Sequence, residues 1–134
     1  TKIIPQKLKH LVLYQVGFDE KKLKNLTNLT SLTIIGCKIN EAILKEIINK
    51  TRLKKLILKY NIINNSDSTP FQNIQSNVKE LVLISNHFAN RFTFEPAVFP
   101  KHKFNLFVFR KNTNVTFTRN FRKINAKKKI ISSK

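Results

Sequence analysis

The feature that most constrains this chain is a short apolar pattern that comes back five times. Near the middle, LKKLILKYNII carries Leu53, Leu56, Leu58 and Ile63, with Asn61 set among them. The two-residue spacing of Leu56 and Leu58 sends both side chains to one side of an extended strand, and Asn61 marks where the strand turns away. The pattern also reads Leu8, Leu11, Leu13, Val16, Phe18, then Leu29, Leu32, Ile34, Cys37, Ile39, and later Val78, Leu81, Leu83, Asn86, Phe88. Its last copy is Phe104, Phe107, Phe109, Asn112, with Asn114 where an apolar residue is expected. The starts lie 21, 24, 25 and 26 residues apart. A strand with one apolar face cannot bury it alone, so a period of this size implies units that stack and cover one another.

The motifs LTSLTIIGCKI, LKKLILKYNII and VKELVLISNHF resemble the leucine-rich repeat signature L-x-x-L-x-L-x-x-N/C-x-L, and the resemblance runs over about residues 8 to 114. It implies an α/β fold, a leucine-rich-repeat solenoid of about five repeats. Such a solenoid has a curved parallel sheet, with helices or turns on its convex side. The expected organisation is a repeat domain over 1–125, with an N-terminal cap over 1–7, and a basic tail over 126–134. After each strand the backbone bends and leaves amides and carbonyls facing inward, which a stack of Asn side chains can bond. Asn61, Asn86 and Asn112 are the expected rungs of this ladder, with Cys37 as a small buried substitute. Val16 cannot serve, so Leu8–Phe18 is either a full repeat or a cap.

The segments between strands differ. Asn40–Lys50 reads as a helix, as in the longer, ribonuclease-inhibitor-like repeats: Asn40 caps it, and Ile43, Leu44, Ile47 and Ile48 form one apolar face. Lys50 and Arg52 are expected to complement its far end. Residues 19–28, with Asp19 as cap, resemble a shorter repeat that returns by a turn or 3₁₀ helix. The stretch 64–77 reads as a loop with a short helical turn near Phe71–Gln75. Pro96 and Pro100 argue against one helix over 89–103, whose aromatics read as core filler. Val115 and Phe117 alternate like one more strand, with Phe121 and Ile124 closing the end. Lys127–Lys129 read as free in solution.

Charge bounds the partners. The chain has 26 bases against 7 acids, a net +19 on 134 residues, so nucleic acid or an acidic surface is the inferred neighbour. From Ala97 onward there are bases and no acid, which makes Lys111, Arg119, Arg122, Lys123, Lys127, Lys128 and Lys129 the candidate nucleic-acid contacts. The single cysteine, Cys37, cannot pair within the chain and argues for a reducing compartment. No run of about 18 apolar residues is present, so no transmembrane segment is expected.

Catalysis is not expected. His10, His87 and His102 are far apart in the repeat register, and neither a metal-binding spacing nor a glycine loop for phosphate occurs. No cofactor is expected. The informative surface is the sheet face opposite the leucines, the concave face of the implied solenoid. Its central column reads Val12, Thr33, Ile57, Val82 and Val108, and beside it stand Tyr14, Ile35, Lys59, Ile84 and Arg110. An apolar strip of this kind suits a protein partner better than phosphate. The expected role is a non-catalytic scaffold subunit, a monomer within a large intracellular hetero-assembly, foremost a ribonucleoprotein such as a mitochondrial ribosome. The alternatives are a stand-alone RNA-binding protein and a mitochondrial leucine-rich-repeat adaptor, assembly factor or subunit of a membrane complex. The mitochondrion leads as location, with the cytoplasm as alternative.

Overall fold

A computed structural model describes residues 7–66 and 70–132. Most of the expected cap, with Ile3, Ile4 and Pro5, lies outside the described residues. The chain forms an α/β fold with two parallel sheets. The larger has six strands: β1 (His10–Tyr14), β2 (Ser31–Ile35), β4 (Lys55–Lys59), β6 (Glu80–Ile84), β8 (Phe104–Arg110) and β10 (Ala126–Ile131). The smaller has four: β3 (Lys38–Ile39), β5 (Ile62–Ile63), β7 (His87–Phe94) and β9 (Thr113–Phe117). Within each sheet the spatial order follows the chain order.

The register explains why the apolar pattern repeats. Leu11, Leu32, Leu56, Leu81 and Phe107 are successive partners, and Leu13, Ile34, Leu58, Leu83 and Phe109 form the parallel row. From Leu32 onward every member of both rows is buried at 1% exposure or less. Each such side chain contributes about 1.5–3 kcal/mol by leaving water, and none could do so without the next strand beside it.

Between the strands of one period lie the connections that cover the core. Helix α1 (Glu20–Lys24) is a short α-helix where a turn or 3₁₀ helix was expected, because Asp19 accepts from the Lys22 amide at 3.2 Å and good helix formers follow. Helix α2 (Glu41–Ile48) starts where Asn40 Oδ1 accepts from the Ile43 amide at 2.9 Å, and it buries Ile43, Leu44 and Ile47. Lys50 does not serve α2. It is buried, and its Nζ donates to the Leu23 carbonyl and, at 3.5 Å, to that of Lys24, at the end of α1. Burial holds the Lys50 pKa below its ordinary value, against the weaker pull of Glu46. Arg52 likewise reaches across, to Asn28 Oδ1 at 2.8 Å.

The C-terminal half is built differently. Residues 70–73 form the expected single turn, in which the Ile74 amide donates to the Phe71 carbonyl at 3.2 Å, and the core is filled with phenylalanine. Strand β7 runs on through Phe92 and Phe94, an alternation that pairs with Val115 and Phe117 of β9 after a register shift. The ring of Phe94 lies 4.5 Å from that of Phe109, and Phe99 meets Phe107 edge-on at 5.0 Å. With no long helix among the described residues here, aromatic volume takes its place. A short 3₁₀ turn at Pro96–Val98 leads to β8.

One expectation is corrected. Residues 126–131 are not a free tail but the sixth strand of the larger sheet, in parallel register with β8 through Ile130↔Val108 and Ile131↔Phe109. Ile124 is buried at the turn before it, and Lys129 Nζ donates to the carbonyls of Arg122 and Ile124. Two β-branched residues and an unpaired edge on β8 outweigh three lysines.

Candidate protein-binding face

The corner after each main strand is the most regular part of the molecule. Asn61 Oδ1 accepts from the Cys37 amide at 2.9 Å, Asn86 Oδ1 from the Asn61 amide at 3.1 Å, and Asn112 Oδ1 from the Asn86 amide at 2.9 Å. Their Nδ2 groups donate, each at 2.9 Å, to the carbonyls of Ile34, Leu58 and Leu83. Cys37 closes the ladder, with Sγ 3.4 Å from the Ile35 carbonyl. The residue before each rung, Gly36, Tyr60, Ser85 or Lys111, has positive φ between 56° and 67°, and Gln15, before Val16, has φ 48°. This left-handed step turns the chain out of one sheet toward the other. Sequence reasoning missed it, since only Gly36 advertises it. Val16 makes no rung: β1 pairs fully with β2, but the ladder and the smaller sheet begin one period later.

These corners set the strands so that their outward residues stand in columns. Val12, Thr33, Ile57, Val82 and Val108 are partners in register, and β10 adds Ile130, a residue that the sequence reading left out. Tyr14, Ile35, Lys59, Ile84 and Arg110 form the column toward the strand ends. The face is not evenly open. Val12, Tyr14 and Ile130 are 64%, 59% and 44% exposed, whereas Val82 and Val108 are only 7% and 6% exposed. That corrects the expectation for these two, which lie between larger neighbours: Glu80 and Ile84 along β6, Leu106 and Arg110 along β8. Thr33, Ile35, Ile57, Lys59, Ile84 and Arg110 are half-buried and reachable. Tyr60, at the adjoining corner, is 66% exposed and extends the surface.

The seven expected nucleic-acid contacts do not form one patch. Lys128 belongs to the open face, in register with Leu106, while Lys129 is spent on the carbonyls of its own connection. Arg119, Arg122 and Lys123 sit in the turn before β10, where the Arg122 guanidinium stacks 4.9 Å over Phe121. Lys111 stands at the corner after β8, roughly 20 Å along the strand direction from Lys127.

The reactive side chains have structural partners. Cys37 is buried in the ladder; His87 Nδ1 meets Thr113 Oγ1 at 2.7 Å, and His102 Nε2 meets the Val78 carbonyl at 2.8 Å. A cleft of ≈ 850 Å³ beside β3 is lined by residues such as Val16, Phe18, Lys38 and Ile62. Among the described residues no group of three or more His, Cys, Asp or Glu could hold a metal ion, and no helix is long and apolar enough to cross a membrane. Comparison with protein-family models, with curated proteins and with solved structures returned no match.

Proposed function

We propose that the chain is a leucine-rich-repeat solenoid that works as a non-catalytic interaction subunit, gripping a partner polypeptide on the open face of its six-stranded sheet. The observation that carries this reading is the column of registered outward residues from Val12 to Ile130, apolar throughout except Thr33 and exposed most at its ends. An apolar face left uncovered by the chain's own helices favours contact with another protein. The fate of Cys37, His87 and His102 supports a role without catalysis, because the thiol is buried within its own corner and the two imidazoles join neighbouring strands or turns. The net +19 supports a large anionic setting, a ribonucleoprotein such as the mitochondrial ribosome, over a freely diffusing monomer.

The test is capture of native partners by Ile35→Asp/Ile57→Asp. Both positions are half-buried on the open face, clear of the core rows. The variant keeps the wild-type circular dichroism and loses the ribosomal or other proteins that co-purify with the wild type at moderate salt. An unchanged set of co-purifying proteins overturns the reading.

A further inference from the structure

Because every strand of the larger sheet runs the same way, all six begin along one rim. Backbone hydrogen bonds define the row of residues there. The Thr30 amide donates to the Lys9 carbonyl at 2.7 Å, Lys54 to Thr30 at 2.8 Å, Lys79 to Lys54 at 2.9 Å and Asn105 to Lys79 at 2.7 Å. Lys127, between Ala126 and Lys128, falls opposite Asn105. The row is therefore Lys9, Thr30, Lys54, Lys79, Asn105, Lys127: four cations and two polar residues in six positions. At about 4.8 Å per strand it runs roughly 24 Å.

Its chemistry is that of a polyanion track. Lys9, Lys54 and Lys127 are exposed and Lys79 half-buried. Lys55 and Lys128 stand one residue further along their strands, against one acid, Glu80, in that next row. The exposed large apolar residues, Val12, Tyr14, Val16, Tyr60, Ile62 and Ile130, are all elsewhere. A protein interface wants an apolar centre inside its polar rim, and a membrane surface wants apolar side chains to insert. This row offers neither. Flexible point charges spaced along one rim suit the phosphates of a nucleic-acid strand, contacted without reading its bases.

We propose that the rim where the strands begin is a nucleic-acid track, on which Lys9, Lys54, Lys79 and Lys127 neutralise phosphates of one strand. The proposal rests on the ribonucleoprotein reading and deepens it, moving the contact from the C-terminal cluster to a line that spans the whole sheet. Its test is fluorescence anisotropy with a short labelled single-stranded RNA, between about 50 and 200 mM salt. Lys9→Gln/Lys54→Gln/Lys79→Gln/Lys127→Gln is compared with Lys21→Gln/Lys22→Gln/Lys24→Gln/Lys38→Gln, which removes the same charge from the helix α1 and β3 side.

The rim variant flattens the log–log salt slope by about three and binds at least about tenfold more weakly than the control. If the fourfold rim variant does not fold, Lys54→Gln/Lys79→Gln shows about half that change in slope. Equal weakening in the two sets reduces the effect to net charge and overturns the proposal. So does wild-type binding to polyglutamate or to phosphatidylserine vesicles that is tighter than binding to RNA. Partner capture, the readout of Ile35→Asp/Ile57→Asp, is measured separately from RNA binding, and the rim variant keeps it, so failure here is distinguishable from failure of the protein-binding face.

Discussion

At the scale of single residues, the asparagine ladder carries the most weight. Asn86 is 1% exposed and satisfies two buried backbone groups, the Asn61 amide and the Leu58 carbonyl. Asn86→Ala orphans both and costs roughly 2–6 kcal/mol, at about 1–3 for each; urea unfolding measures it. Asn112 is only half-buried, so its truncation costs less. The ladder was legible because a polar residue at a constant offset inside an apolar pattern has one economical explanation. The left-handed step before each rung was not, since Tyr60, Ser85 and Lys111 have no common chemistry and are held there by the corner itself. Gly36 is where the step has become a sequence constraint: φ is +67°, and an added Cβ meets Gln15 Cγ at 2.9 Å. Gly36→Ala lowers stability by about 1–2 kcal/mol through the left-handed backbone alone, a loss read in the same urea experiment.

At the scale of elements, composition misled where packing decided. A run of three lysines reads as solvated tail, yet β10 pairs with β8 from Ala126 to Ile131. Only the strand's neighbours, not its own residues, could have revealed it. Truncation after Asn125 exposes the β8 edge and removes the partly buried Ile131, for a loss of at least about 2 kcal/mol and a tendency to self-associate. Thermal melting and size-exclusion chromatography report the two effects.

Lys50 is a second case, expected at the end of its own helix and found joined to α1. Its folded pKa is lowered by burial from the unfolded 10.5. Below the folded value both states are protonated and the group adds no slope. Between the folded value and 10.5 the unfolded chain holds more protons, so stability rises with pH. Chemical denaturation from neutral pH to about 10.5 therefore gives a steeper rise for the wild type than for Lys50→Met.

At the scale of the whole molecule, coupling runs along one direction. Strand pairing links only chain-adjacent strands of each sheet, and the side-chain hydrogen bonds between elements mostly reach 24 to 29 residues along the chain, one period away. This much was legible, because the period itself says that each unit needs its neighbour. The second sheet was legible only at its far end, where Val115 and Phe117 alternate in β9, since two-residue strands such as Lys38–Ile39 and Ile62–Ile63 leave no periodic trace.

The geometry predicts how stability losses combine. Leu56 and Leu81 are direct partners, about 4.8 Å apart, and share one stretch of core. Leu32 and Phe107 are separated by both of them, roughly 14 Å in all. Leu56→Val and Leu81→Val each cost about 1 kcal/mol, the scale of a buried methylene. Together they depart from additivity by about 0.5 kcal/mol or more, because the second cavity opens beside the first. Leu32→Val with Phe107→Leu adds to within about 0.3–0.5 kcal/mol. A double-mutant cycle in urea separates the cases. Strong coupling in the distant pair would mean that the phenylalanine cluster and the N-terminal leucines behave as one three-dimensional core, rather than as layers that each support the next.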